Sequence, residues 1–141
     1  MDCKRLDGTR ILVRLDPGDE IMASLKKVAQ KENISLAMVQ GLGALKKVIM
    51  GVYNVAEQKY MSDAFEGIFE MVSLTGTLDT MGDNPYSHFH IVIADTEGRA
   101  FGGHLNEAVV SATAEIIITI LPGKIDREKS GEIGLNVWKF D

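Results

Sequence analysis

The sequence predicts an α/β fold of the α+β kind: a mainly antiparallel mixed sheet with one strong N-terminal helix, in a compact single domain covering residues 1–141. Three observations predict it. One early stretch, residues 21–29, repeats apolar side chains at helical spacing. After Ser35 the chain becomes a series of β-rich runs separated by Gly, Asn and Asp. Finally, 141 residues with 45% hydrophobic and 25% charged side chains match one globular domain large enough for a real core, and fit neither a disordered nor a fibrous chain.

In chain order, residues 10–14 alternate weakly and read as a short strand. Asp16-Pro17-Gly18-Asp19-Glu20 then carries helix-start chemistry, with Asp16 as N-cap, Pro17 at the first helical position and acids facing the helix dipole. In the expected helix, Ile21, Met22, Leu25, Val28 and Ala29 share a face, Lys26, Lys27, Gln30 and Lys31 face water, and Asn33 marks the stop. That helix is for packing and holds no chemistry. Strands are expected at 39–42, 47–54, 59–65, 68–78, 88–95, 100–105, 111–121 and 135–140. The run 109–121 is almost uniformly apolar or small, which predicts a central strand buried on both faces or at a subunit contact. Residues 124–131 are polar and aperiodic, and read as an exposed loop before a last strand anchored by Val137 and Trp138.

Composition narrows the function. No window approaches ~18 consecutive apolar residues, so no membrane helix is expected. Met1-Asp2-Cys3-Lys4-Arg5 leads into polar sequence with no apolar secretory core, which predicts a cytoplasmic protein. The single cysteine, Cys3, can form neither an internal disulfide nor a four-cysteine zinc site, and reads as an incidental thiol. Fifteen Lys and Arg against twenty Asp and Glu give a net charge of -5, with no global excess of cations for DNA phosphates. Lys26-Lys27 and Lys46-Lys47 are pairs, and read as solvated surface.

The three histidines are the most informative feature. They are His88, His90 and His104, in Ser87-His88-Phe89-His90 and Gly102-Gly103-His104-Leu105. In a strand His88 and His90 point to one side while Phe89 and Ile91 point to the other. Asp95-Thr96-Glu97-Gly98-Arg99 reads as a hairpin with Thr96 to Gly98 as a three-residue loop ending left-handed at Gly98. Counting back from that turn sets His90 opposite His104, with Cβ atoms ~4.5–5.5 Å apart and His88 on the diagonal. Three imidazoles so placed suit one ion, and lacking an obvious fourth protein ligand they leave a coordination position open. Zinc is the first expectation, and nickel, copper or iron also accept such ligands. A one-residue slip would send His104 to the other face. Gly102 and Gly103 allow close approach of backbone or ligand.

The order and spacing of several segments resemble the plants and prokaryotes conserved domain (PPC or PCC) family over nearly the whole chain. The segments are Arg14-Leu15-Asp16-Pro17-Gly18-Asp19-Glu20, Gly41-Leu42-Gly43-Ala44-Leu45, residues 67–76, His88-Phe89-His90, residues 98–105 and Ala114-Glu115-Ile116. The resemblance implies a homotrimer of compact α/β subunits and a match of His88, His90 and His104 to the metal-binding histidines of prokaryotic members. In plant relatives the domain follows a DNA-binding AT-hook, and a Gly-Arg-Phe-Glu-hydrophobic motif is associated with partner binding. Here Gly67-Ile68-Phe69-Glu70-Met71 replaces that arginine with Ile68, and these residues contain no Arg-Gly-Arg-Pro core.

Three functions follow as expectations. The first is a zinc-binding trimer acting as a small-ligand or regulatory binding module without catalysis, since no nucleophile or acid–base pair flanks the histidines. The second is a zinc-dependent lyase, because the histidine pattern also resembles the zinc site of acetolactate decarboxylase. Its acids and charge clamp would come from Glu70, Glu107, Glu115 and Arg99, with Glu70 first because an apolar strand surrounds it. The third is DNA binding, which rests on the family analogy and the lysine pairs alone.

Overall fold

Glu20, and not Asp16, starts the helix. In the computed structural model, which describes residues 1–140, α1 spans Ile21–Lys31. Gly18 adopts φ +91°, a left-handed conformation that a helix cannot contain, so Asp16 to Asp19 forms a turn and Pro17 stays outside the helix. The Glu20 carboxylate accepts from the amides of Met22 at 2.9 Å and Ala23 at 2.6 Å. Its Oε1 also accepts from the Ala108 amide at 3.1 Å, which ties the helix start to the sheet. Beyond the last turn Asn33 takes φ 51° and ends the helix as expected.

The strands are β1 (Asp2–Arg5), β2 (Arg10–Leu15), β3 (Ala37–Asn54), β4 (Lys59–Met81), β5 (Asn84–Ala94), β6 (Ala100–Ile120), β7 (Asp126–Lys129) and β8 (Asn136–Lys139). The mainly antiparallel sheet with one N-terminal helix is as expected, while the α/β label is too broad: most described residues lie in strands, and α1 is the one α-helix among them. Pairing is antiparallel throughout, apart from one parallel contact between β4 and β7. Six expected strands merge into three long ones, β3, β4 and β6. Register shifts at Gly41/Gly43 and Leu45/Lys47 explain the gaps, because a bulge flips the alternation of faces without ending the strand.

Pairings β3–β4, β4–β5, β5–β6 and β6–β3 close a ring, with β2 and β1 added outside β6. Ile21, Leu25, Val28 and Ala29 of α1 join the core with Phe89, Ile91 and Ile93 of β5 and Leu105, Val110 and Ile116 of β6. The run 109–121 is buried on one face only. Ile116 and Ile118 are inside, while Ile117 is 47% exposed beside Leu12 and Leu42 on an outer apolar face. Two elements were not expected. β1 pairs with β2, and β7 lies within the polar stretch 124–131, where it pairs with β8 and buries Arg127. No described helix is long and apolar enough to cross a membrane.

Candidate metal centre

Turn chemistry sets the site. Gly98 adopts φ 77° and closes the β5–β6 hairpin, with its amide donating to Asp95 O at 3.0 Å and the Asp95 amide donating to Arg99 O at 3.1 Å. Asp95 Oδ1 accepts from the amides of Glu97 and Arg99, both at 2.9 Å, so the loop has one geometry. From that turn the ladder runs back in register to His90 opposite His104. Phe89, Ile91 and Ile93 point into the core, so His88 and His90 project from the outer face. His104 sits where β6 passes from β5 to β3, opposite His90 on one side and Gly51 on the other.

The ring centroids are 5.3 Å apart for His88 and His90, 5.1 Å for His88 and His104, and 5.6 Å for His90 and His104. One ligand nitrogen from each lies within 4.8 Å of the others. A tetrahedral zinc with bonds of ~2.0–2.1 Å needs nitrogens roughly 3.3 Å apart, which small ring rotations supply. His88 and His104 are half-buried and His90 is exposed. Burial, reinforced by the other two histidines, pushes His104 down to about 4. Burial and then the nearby Arg127 guanidinium lower His88 in the same direction. Neutral imidazoles keep the lone pairs that a metal requires. His104 Nδ1 is buried without a hydrogen-bond partner, an arrangement that ligation would relieve. The donor set and this orphaned nitrogen both fit a divalent transition metal.

Two glycines allow the strands this close to the histidines. A Cβ on Gly76 would stand 2.0 Å from His88 O, and one on Gly103 would stand 2.7 Å from Gly51 O.

The cluster opens onto two cavities. One of about 310 Å³ is bordered by Tyr53, Tyr60 and Tyr86 with His88 and His104. The other, about 580 Å³, lies between His88, His90 and the C-terminal residues Leu135, Val137, Trp138 and Phe140. Arg127 borders both. Its Nε and Nη2 each donate to Asp79 at 2.7 Å, and its Nη1 donates to Asn136 O at 3.0 Å. Asp79 also accepts from Trp138 Nε1 at 2.9 Å and Thr77 Oγ1 at 3.1 Å. The guanidinium lies 4.7 Å above the Tyr86 ring, a cation–π contact. The Tyr60 ring is 5.2 Å from that of His104, and burial raises its phenol, which keeps the hydroxyl a donor.

None of the four candidate catalytic residues borders either cavity. Glu70 is exposed. It takes the outward position between the buried Phe69 and Met71, so the expected cost of a carboxylate in an apolar strand does not arise. Arg99 is spent on the hairpin, bonded to Asp95 at 2.7 Å and Glu97 at 3.1 Å. Glu107 pairs with Lys47 at 2.8 Å. Glu115 is exposed opposite Arg14 and Leu42 on the apolar outer face. Sequence reasoning missed Asp79, Arg127 and the three tyrosines. Leu78-Asp79-Thr80 at the end of an apolar run was the one local signal, since a charge buried there requires a partner.

Residues 4–122 match the family model of the Plants and Prokaryotes Conserved (PCC) domain, and the chain belongs to that family. Among solved structures it is similar to a plant- and prokaryote-conserved (PPC) protein from Pyrococcus horikoshii, with 33% identity, TM-score 0.88, and 94% of this chain and 92% of that one covered. It is similar to a metal-containing protein from Archaeoglobus fulgidus at 25% identity, TM-score 0.88, with 94% of both chains covered. A candidate DNA-binding protein from Ralstonia eutropha is 27% identical, TM-score 0.88, covering 96% of this chain and 94% of that one. A curated relative, the bifunctional protein GlmU of Synechococcus sp. (strain JA-3-3Ab), is 28% identical over 108 residues, which are 75% of this chain but 16% of that protein. The chain thus spans a small part of the curated relatives it matches.

Proposed function

We propose that His88, His90 and His104 hold one zinc ion per chain, that the protein works as a cytoplasmic homotrimer, and that the loaded site is a binding module for a small ligand. The convergence of three imidazole nitrogens within 4.8 Å carries this reading. The orphaned His104 Nδ1 and the metal-containing Archaeoglobus relative support it. The outer face with Leu12, Leu42 and Ile117, around a groove of about 820 Å³, supports assembly, because an exposed apolar patch of this kind marks a contact surface. When bound, zinc would supply a Lewis acid with one coordination position for an incoming oxygen.

Binding is favoured over catalysis because Glu70, Arg99, Glu107 and Glu115 border neither cavity, and the nearby carboxylate, Asp79, is already held by Arg127, Trp138 and Thr77. A lyase reading would have to draw its proton from Tyr60 or Tyr86. DNA binding draws on the Ralstonia relative's description, but the net charge of -5 and the pairing of Lys47 with Glu107 weigh against phosphate contacts.

Elemental analysis of untagged protein tests the reading, beside a His88→Ala, His90→Ala, His104→Ala variant. Zinc in the parent near one per chain and none in the variant is expected. A parent that stays metal-free after zinc addition overturns it. Light scattering showing a monomer would overturn the trimer alone.

A further inference from the structure

We infer that the site takes a small monocarboxylate with an aryl tail, the carboxylate at the histidine cluster and the ring against the wall of Leu135, Val137, Trp138 and Phe140. The inference rests on the zinc reading above and adds the class of ligand. Charge gives the head group. Three neutral imidazoles leave a divalent ion uncompensated, and no Asp or Glu borders either cavity. The nearby acid, Asp79, is already held by Arg127, Trp138 and Thr77, so that buried pair is neutral and contributes no counter-charge. An anion must therefore come from outside. Tyr86 accepts from Asn136 Nδ2 at 3.3 Å, a bond that does not use its O–H, so together with Tyr60 the small cavity offers two phenolic donors to carboxylate oxygens.

The wall gives the tail. The cavity beside His88 and His90 is about 580 Å³, within the range of small-molecule sites at ~300–1,000 Å³. Its far side is apolar and aromatic. Trp138 is fixed by its bond to Asp79, and Phe140 packs edge-on at 6.4 Å while remaining 75% exposed. An edge-to-face pair with one ring left open is a platform for a third aromatic ring. The wall lies beyond residue 122, where the family-model match ends, and the tail preference rests on the side chains Leu135, Val137, Trp138 and Phe140.

Calorimetric titration of the zinc-loaded, untagged protein with 3-phenylpropanoate, acetate and 3-phenylpropan-1-ol tests this. Phenylpropanoate is expected to bind about tenfold more tightly than acetate, a difference of ~1.4 kcal/mol, and the alcohol not to register. Phe140→Ala and Trp138→Leu should each reduce the advantage over acetate severalfold, and Phe140→Ala, at an exposed position, does so without burdening the fold. Zinc content is measured in every sample. Equal affinity for acetate and phenylpropanoate, or binding of the alcohol as tight as that of the acid, overturns the inference while the zinc reading stands. A parent that holds no zinc overturns both.

Discussion

Replacing Asp79 with alanine should release the C-terminal hairpin from the sheet. The Asp79 carboxylate is 0% exposed and Arg127 5%, and two bonds of 2.7 Å join them. Deleting the acid leaves a buried guanidinium with the carbonyl of Asn136 as its principal partner, and breaking a buried pair from one side costs ~3–5 kcal/mol. Against a total stability of ~5–15 kcal/mol for a domain, that is a large fraction. The chain has an escape, however. β7 and β8 pair with each other, and β7 joins the ladder of the sheet only where Thr80 pairs with Asp126, further ties being hydrogen bonds from Thr80 and Gly82 to Asp126 and from Tyr53 and Gln58 to the carbonyls of Ile133 and Glu132. Undocking this hairpin returns Arg127 to water, so part of the penalty becomes local opening. Trp138 is the only tryptophan and its indole N–H bonds to Asp79, so its emission reports the docking directly. Asp79→Ala should red-shift that emission in native buffer, preserve the far-ultraviolet sheet signal, and lower the urea-unfolding free energy by at least ~2 kcal/mol. The double variant Asp79→Leu, Arg127→Met removes both charges and should recover most of the loss. Unchanged emission, with stability within ~0.5 kcal/mol of the parent, would refute the reasoning.

Three further outcomes follow from the same structure. Glu20→Ala removes the acceptor for the amides of Met22, Ala23 and Ala108, and should lower stability by ~1–2 kcal/mol in denaturant titration; no change would mean that water replaces the cap without loss. Gly76→Ala places a carbon 2.0 Å from His88 O, so β4 and β5 must part, costing ~1–3 kcal/mol and weakening zinc affinity measured by competition with a chelator. Acidification should weaken the zinc-free fold: His104 is pushed down to about 4, so between 6.5 and 4 the unfolded chain takes up a proton the fold refuses, and this contribution to stability is complete above 6.5 and lost as pH falls toward 4. Unfolding measured at several pH values on the parent and on His104→Gln checks this, because the variant should show a shallower decline.

How much could be read beforehand depended on the range of the interaction. The hairpin and its register followed from residues 88–104, because Gly98 must be left-handed, Asp95 bonds its own turn, and strand periodicity then fixes which residues share a face. The packing face of α1 was equally legible, since it repeats within eleven residues. Its first residue was not: Asp16-Pro17 carries the same local chemistry as a cap, and the deciding contact joins Glu20 to Ala108 across 88 positions. Glu70 was misplaced for a related reason. Apolar neighbours in sequence say that a strand is buried on one face, and only the pairing says which face.

The sequence by itself determined that three histidines meet, because a single tight turn and a period of two carry them there. Tertiary structure alone decided what surrounds them. Arg127 reaches Asp79 across 48 positions, Tyr60 reaches His104 from another strand, and the wall at Leu135 to Phe140 comes from the far end of the chain. Such contacts depend on the order in which strands pair, and that order is set by burying one shared core. No residue announces it to its neighbours.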